Sequence, residues 1–70
     1  MLKIGELLTL NDKNTYVVVS SVLYEGKNYV YLINEKDFSN VMICLYDNNN
    51  ELRKIDDPIL IEKLRVLFLK

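Results

Sequence analysis

The sequence predicts an α+β fold, a five-stranded antiparallel meander or small open barrel with one C-terminal helix. Strand-forming Val, Ile, Leu, Thr and Tyr residues are concentrated in the part of the chain before Pro58, in runs separated by Asn, Asp and Gly turn residues. After Pro58 the apolar period changes from about two residues to about 3.6, which is typical of a helix. With 70 residues, the chain forms one small domain, 1–70.

The predicted strands cover residues 4–10, 15–24, 28–34, 41–47 and 51–55. The first ends at Asn11-Asp12-Lys13-Asn14, a turn cluster, because Asn and Asp tolerate left-handed backbone and form local hydrogen bonds. The second strand, TYVVVSSVLY, is apolar on both faces, as expected of a central or strongly coiled strand. Ser20 and Ser21 predict a bend in it.

A hairpin is predicted at Glu25-Gly26, because Gly26 can adopt a positive φ between two strands. If these two residues form the whole loop, Val22 pairs with Tyr29. If Gly26 instead belongs to a bulged three-residue loop, Ser21 pairs with Tyr29 and the register shifts by one residue. The sequence leaves both turn geometries open.

The side chains of the third strand alternate between two faces under either turn geometry. Val30 and Leu32 share the all-aliphatic face, which is predicted to lie on the core. Tyr29 and Tyr31 share the other face, predicted to be the less buried side with its hydroxyls near water. Because Tyr is enriched at protein interfaces, these two residues and Lys27 are candidate partner-binding residues; the alternative is that the rings only stabilise the sheet.

The polar loop at residues 35–40 contains Phe38, whose ring is predicted to anchor the loop against the core. Cys44 lies between two apolar strand residues, where a free cysteine is typically a small buried hydrophobe. Four carboxylates gather near the last turn and the helix start, without the glycine and distant glutamate of a calcium loop: Asp47, Glu51, Asp56 and Asp57. A structural turn with no metal is therefore expected.

Asp57 before Pro58 is a helix start signal, because Asp accepts hydrogen bonds from first-turn amides and Pro is tolerated at the first helical position. The helix is predicted over residues 58–69, with one apolar stripe facing the sheet: Leu60, Ile61, Leu64, Leu67 and Phe68. Ile59 and Val66 lie seven residues apart outside this stripe, and Leu69 is also outside it. They are interpreted either as edge-of-core packing or as a contact with a partner or a second copy.

The amino-acid composition of the chain argues against several classes of function. One cysteine and no histidine exclude a disulfide and the usual Cys/His metal site, and leave no imidazole base to activate a nucleophile. The expectation is a protein that is not an enzyme and takes no cofactor. The net charge of −1 lacks the basic footprint of a nucleic-acid-binding protein. The absence of a secretory or membrane-spanning apolar run in the sequence predicts a cytoplasmic location.

Two segments, Ile4-Gly5-Glu6-Leu7-Leu8-Thr9-Leu10-Asn11-Asp12 and Tyr24-Glu25-Gly26-Lys27-Asn28-Tyr29, resemble the YrzB-like family of small bacterial proteins. In that family a Gly-acidic-strand opening leads to a hairpin with a Tyr-x-Gly-Lys-x-Tyr pattern. The resemblance covers roughly the first 34 residues. It implies a small β-rich cytoplasmic protein, and it carries no assigned activity or functional residues.

The leading functional hypothesis is a non-catalytic protein-binding module that uses the Tyr29/Tyr31 face or the strip of Ile59 and Val66. One version is a phage- or mobile-element-encoded inhibitor of a host protein. The alternatives are a small barrel that binds single-stranded nucleic acid on the tyrosines, and a structural domain that forms a homo-oligomer. The sequence does not distinguish the identity of the partner or the oligomeric state.

Overall fold

A computed structural model describes residues 2–47 and 51–69. Its elements are β1 (Leu7–Thr9), β2 (Thr15–Tyr24), β3 (Lys27–Asn34), β4 (Val41–Tyr46), β5 (Leu52–Lys54) and α1 (Pro58–Phe68). The strands form one antiparallel sheet in the order β1-β2-β3-β4-β5, curled into a half-barrel, and α1 follows it. The predicted α+β meander is confirmed. The sequence also predicts a turn at Asp47-Asn48-Asn49-Asn50, between the fourth and fifth strands, and its last three residues lie outside the described residues.

The first strand is shorter than the predicted 4–10. Gly5 has a φ of 90° and its N–H donates to the Val18 carbonyl at 2.7 Å, while the Glu6 N–H donates back to the Lys3 carbonyl. These bonds form a tight turn at residues where the sequence predicted regular strand. A positive φ is easily adopted only by glycine, so the turn is placed at Gly5 and the strand begins two residues later.

The hairpin between β2 and β3 has the two-residue loop. Glu25 and Gly26 have φ values of 51° and 77°, the pair of positive values that defines a type I′ turn. Val22 accordingly pairs with Tyr29. This geometry matches the right-handed twist of the strands, and it selects one of the two registers that the sequence left open.

A β-bulge interrupts β2 at Val19. Val18 pairs with Leu32, and Ser20 pairs with Tyr31. Leu32 and Tyr31 are consecutive in β3, so Val19 is an extra residue in β2 that has no pairing partner in β3. The bulge is next to the bend predicted at Ser20 and Ser21. A bulge bends its strand and increases the local twist, which favours the curling of the sheet.

The concave face of the sheet encloses one apolar cluster. Its buried members come from the three central strands: Tyr16, Val18, Val30, Leu32 and Cys44. Leu8 and Leu10 from one end of the sheet and Leu52 from the other pack on the same cluster. Because residues at opposite edges meet there, the sheet must curl around this core. The prediction that Val30 and Leu32 face the core is confirmed.

The convex face carries a second cluster beneath α1. Tyr29, Ile43 and Leu64 are buried there, and the predicted apolar stripe of the helix packs against them: Leu60, Ile61, Leu67 and Phe68. The predicted stripe is therefore confirmed. Residues on both faces of the central strands are covered, which explains why β2 and β3 are apolar on both faces.

The tyrosine face is the less buried side of β3, as predicted: Tyr31 and Ile33 are half-buried, whereas Val30 and Leu32 are at most 1% exposed. It is nevertheless covered by α1. Tyr29 is only 4% exposed, and its ring lies 6.5 Å from the ring of Tyr24. Tyr31 is half-buried and packs edge-on against Phe68, with ring centres 5.5 Å apart. The aliphatic face of β3 lies on the concave cluster, and α1 covers the opposite face and forms the second cluster with it. The alternation of side chains within one strand does not show that a helix will cover its second face.

The prediction that the Phe38 ring anchors its loop against the core was wrong, because the ring is 79% exposed. Asn34, a buried residue, holds the loop instead: its side-chain oxygen accepts hydrogen bonds from the Lys36 and Asp37 backbone N–H groups at 2.8 and 3.1 Å. Asp37 in turn accepts from the Ser39 hydroxyl at 2.6 Å. These polar contacts order the loop without the aromatic ring.

Candidate protein-binding surface

The five candidate partner-binding residues occupy three separate places. Tyr29 and Tyr31 lie beneath α1, as described above. Lys27 is exposed beside the turn of the β2–β3 hairpin. Ile59 and Val66 are exposed on α1. The structure therefore does not bring these residues together as one site, and only the helix pair forms an exposed apolar surface.

The first turn of α1 is built as the sequence predicted. The Asp57 carboxylate accepts a hydrogen bond from the Ile59 N–H at 3.0 Å and lies 3.5 Å from the Leu60 nitrogen, and Pro58 occupies the first helical position. These contacts satisfy amides that have no partner within the helix. The cap fixes where the helix begins and therefore which side chains face the sheet.

The outward face of α1 carries two aliphatic side chains, Ile59 and Val66, and the C-cap residue Leu69 adds a third. We call these three residues the outer strip. They are 69%, 55% and 79% exposed. The spacing of seven and then three residues places them along one side of a helix. Edge-of-core packing, one of the two interpretations that the sequence allowed for Ile59 and Val66, is inconsistent with this exposure.

One charged residue lies within the outer strip and another lies beside it. Glu62 lies one turn from Ile59 and from Val66, on the same outward face, and its carboxylate is 3.4 Å from the guanidinium of Arg65. Both side chains of this ion pair are exposed, so it contributes little to stability. Glu62 therefore places one charge among the aliphatic side chains of the strip, and Arg65 lies at its side.

A second exposed apolar set crosses the convex face of the sheet beside the helix-covered region. The strand pairing aligns one residue from each of four strands in a single row across the sheet, which we call the sheet row: Leu7, Val17, Ile33 and Val41. Leu7 and Val41, at the ends of this sheet row, are exposed, and the two central residues are half-buried. The sheet row was not predicted from the sequence, although the apolar residues on both faces of β2 were a signal for it.

The loop that carries Phe38 closes directly beside the sheet row. Ile33 pairs with Val41. One residue closer to the loop, the Asn34 backbone N–H donates to the Asn40 carbonyl at 3.0 Å. Because the loop is ordered by its own polar contacts, the exposed ring is presented at little further entropic cost to binding. Exposed aromatic residues on ordered loops are typical anchors at interfaces.

Two of the residues that could react or bind a metal, Cys44 and Asp47, are buried or take part in local structural contacts. Cys44 is buried, and desolvation raises the pKa of its thiol despite the opposing charge of Lys54. In the predicted acidic turn, Asp47 accepts a hydrogen bond from the Glu51 N–H at 3.1 Å and lies 3.6 Å from the Arg53 guanidinium. Among residues 2–47 and 51–69, no three His, Cys, Asp or Glu side chains are grouped to hold a metal ion.

Asp12 accepts hydrogen bonds that favour its charged form. The Asn14 backbone N–H donates to one carboxylate oxygen at 2.9 Å, and the hydroxyl of the buried Tyr16 donates to the other at 2.9 Å. The Asn14 amide, followed by the Tyr16 hydroxyl, lowers the pKa of Asp12 below its ordinary value of 3.8. This contact connects the β1–β2 turn to the concave core.

The Tyr16→Phe variant should be less stable than the wild type near neutral pH, by an amount that shrinks in acid. The pKa of Asp12 is lower in the folded than in the unfolded state, so its stabilising contribution is present above about pH 4 and is lost as the pH falls through the folded value. Urea denaturation at pH 7 and pH 2.5 tests this result. Asp12→Asn, which keeps an acceptor but removes the charge, is the control. An equal loss from Tyr16→Phe at both pH values would contradict the assignment.

α1 has 11 residues, and no helix in the described part of the chain is long and apolar enough to cross a membrane.

Comparison of the chain with protein-family models, curated proteins and solved structures finds no match. The resemblance to the YrzB-like family therefore stays a prediction.

Proposed function

We propose that this protein is a non-catalytic protein-binding module that contacts its partner through the outer strip of α1. One observation carries the proposal: the helix is apolar on two opposite sides, and the sheet covers only one of them. The side of a surface helix that faces away from its core normally carries charged and polar residues. The outer strip thus has the composition of a helix face that another protein covers.

The partner inferred from the strip is an apolar surface on another protein, with a helix as the best-fitting element. Ile59, Glu62, Val66 and Leu69 follow the spacing of three, four and three residues found along the contact seam between packed helices. A basic residue on the partner opposite Glu62 would complement its charge. The hypothesis that the chain is phage- or mobile-element-encoded and blocks a host protein stays a prediction.

The nucleic-acid alternative depended on an exposed platform of tyrosines. Stacking requires ring faces open to solvent, and Tyr29 is buried beneath α1 while Tyr31 packs on Phe68. The aliphatic side chains of the outer strip provide no such stacking surface. Protein binding is therefore the proposal that the exposed residues support better.

The double variant Ile59→Ser, Val66→Ser should lose the partner and keep the fold. Partners captured from the native host by the wild type would be identified, purified and titrated directly against both proteins. We expect a Kd at least roughly tenfold weaker for the variant, because each exposed aliphatic side chain would be desolvated in the complex. The matched control, Leu7→Ser with Val41→Ser, changes exposed aliphatic residues of the sheet row.

Two results would count against this surface. If the strip variant binds the purified partner as the wild type does while the sheet-row variant fails, the contact lies on the sheet. If the protein instead binds single-stranded DNA with an affinity that falls steeply with salt, nucleic acid is the ligand. Sedimentation of the wild type and the strip variant distinguishes a second copy of the chain from a different protein as the occupant.

A further inference from the structure

A groove separates the two edges of the half-barrel. Sheet order places β1 at one edge and β5 at the other, and these two strands are not paired with each other within the described ranges. The groove between them has a volume of about 750 Å³ and is lined by residues of β1 and its turn, β4, and β5 with the residue before it. We call it the edge groove.

The β1 edge has backbone groups that point away from the sheet, and one residue that carries them, Thr9, lines this groove. The Val18 N–H donates to the Glu6 carbonyl, and the Leu10 N–H donates to the Asn14 carbonyl, at 2.9 and 3.0 Å. Hydrogen-bonded positions alternate along an antiparallel strand, so the intervening bonded position on β1 is Leu8. Leu7 and Thr9 therefore point their N–H and C=O groups away from β2.

The β5 edge repeats this pattern. The Asp47 N–H donates to the Glu51 carbonyl, and the Ile55 N–H donates to the Ile43 carbonyl, at 3.0 and 2.9 Å. By the same alternation, Arg53 is the bonded position between them. Leu52 and Lys54 point their backbone N–H and C=O groups away from β4, and both residues line the groove.

Strand direction determines what fits between these edges. In an antiparallel meander of five strands, the first and fifth run in the same direction. The two edges can therefore pair directly only as parallel strands, the slightly less stable arrangement. A sixth strand running opposite to both would bond to each of them as an antiparallel neighbour and close the sheet.

The lining of the groove specifies the side chains of such a strand. Leu10, Met42, Cys44 and Leu52 provide an apolar floor continuous with the concave cluster. Asp12 and Glu51 are on the rim as two carboxylates, opposed by the single cation of Lys54. An alternating apolar segment with basic residues complements this floor and rim.

We propose that the edge groove binds an extended, alternating apolar and basic-flanked segment of another protein as a sixth, antiparallel strand. Main-chain hydrogen bonds to both edges supply affinity, and the apolar floor accepts every second side chain of the segment. This site lies on the concave side of the sheet and uses none of the residues of the outer strip. It is therefore independent of the proposed function of α1.

The probe is a blocked seven-residue peptide that alternates valine and threonine between two terminal lysines. When the peptide is titrated by NMR, we expect increased protection from hydrogen exchange at the Leu7, Thr9, Leu52 and Lys54 amides. The same peptide N-methylated at alternate residues lacks the main-chain donors on one of its two edges, so it loses the N–H bonds to one side of the groove, and its affinity should be at least tenfold lower. Equal binding of the two peptides, or no protection at millimolar peptide, would overturn the proposal.

Lys54→Pro tests the groove from the protein side. Proline removes an N–H that points into the groove and leaves the bonds of Arg53 and Ile55 to β4, as proline on an edge strand does. We expect it to weaken the unmodified peptide at least tenfold, whereas Lys54→Thr, which keeps the donor, retains more of the affinity. If the proline variant does not fold, the N-methylated peptide still provides the test.

Two controls separate this site from other occupants and from the outer strip. Ile59→Ser with Val66→Ser should bind the peptide as the wild type does, and loss of binding in that variant would assign the peptide to the helix. Protection of the four edge amides in the free protein that increases with protein concentration would show that a second copy fills the groove. Either result contradicts the proposal.

Discussion

Replacing Leu64 with alanine should destabilise the protein by about 2–5 kcal/mol. The side chain is fully buried between α1 and the sheet, where it packs in the convex cluster with Tyr29 and Ile43. Alanine removes the buried apolar atoms and leaves a cavity that the sheet can only partly fill. A domain of 70 residues has roughly 3.5–10 kcal/mol of total stability, so the loss is a large part of it.

Urea denaturation followed by far-UV circular dichroism measures this loss. Val66→Ala is the matched control, because it shortens an aliphatic side chain on the same helix that is 55% exposed. We expect that control to change stability by no more than about 0.5 kcal/mol. Similar losses from both variants would mean that α1 does not pack on the sheet through the stripe containing Leu64.

Replacing Tyr29 with alanine should cost about 3–5 kcal/mol, the range for removing a buried aromatic side chain. The ring is buried beneath α1 and lies next to the ring of Tyr24. The exposed neighbour Lys27 on the same strand is the control, and Lys27→Ala should stay within about 0.5 kcal/mol of the wild type. Thermal and urea unfolding of the two variants would provide the comparison.

This prediction separates the two interpretations of the tyrosines. If they form a binding surface, Tyr29→Ala leaves the fold stable and removes a partner. If they form a core, the variant is destabilised, and any loss of binding is a consequence of unfolding. A Tyr29→Ala variant as stable as the wild type would contradict its placement beneath the helix. The burial of the ring favours the core, so substitutions at this position are unsuitable as tests of binding.

The outer strip and the edge groove present different chemistry to partners. The strip offers aliphatic side chains on a helix, a surface suited to another helix. The groove offers backbone hydrogen-bonding groups at two edges, which suit an extended segment. The variants described above affect one surface at a time, since Ile59 and Val66 lie on α1 and Lys54 lies at the β5 edge. A module with both surfaces could bind two partners, or one partner at two places.

Local signals in the sequence predicted the secondary structure well. The hairpin at Glu25-Gly26 and the helix start at Asp57-Pro58 depend on the conformations of a few adjacent residues, and both are present as predicted. The stripe on α1 and the exposure of Ile59 and Val66 outside it follow from helical periodicity. The boundaries of β3, β4, β5 and α1 differ from the predicted ones by one residue at one or both ends, and only β1 differs by more, because the turn at Gly5 depends on a bond to Val18 in the next strand.

The side chains whose surroundings depend on distant elements were not predictable in this way. The sequence by itself determined the order of strands and helix, the two faces of β3 and the two sides of α1, since periodicity and turn chemistry are local properties. Tertiary structure alone decided that α1 covers the tyrosine face and that β1 and β5 lie at opposite edges without pairing in the described part of the chain. Each of these outcomes depends on how far the sheet curls and where the helix packs, and these are set by contacts between residues far apart in the chain.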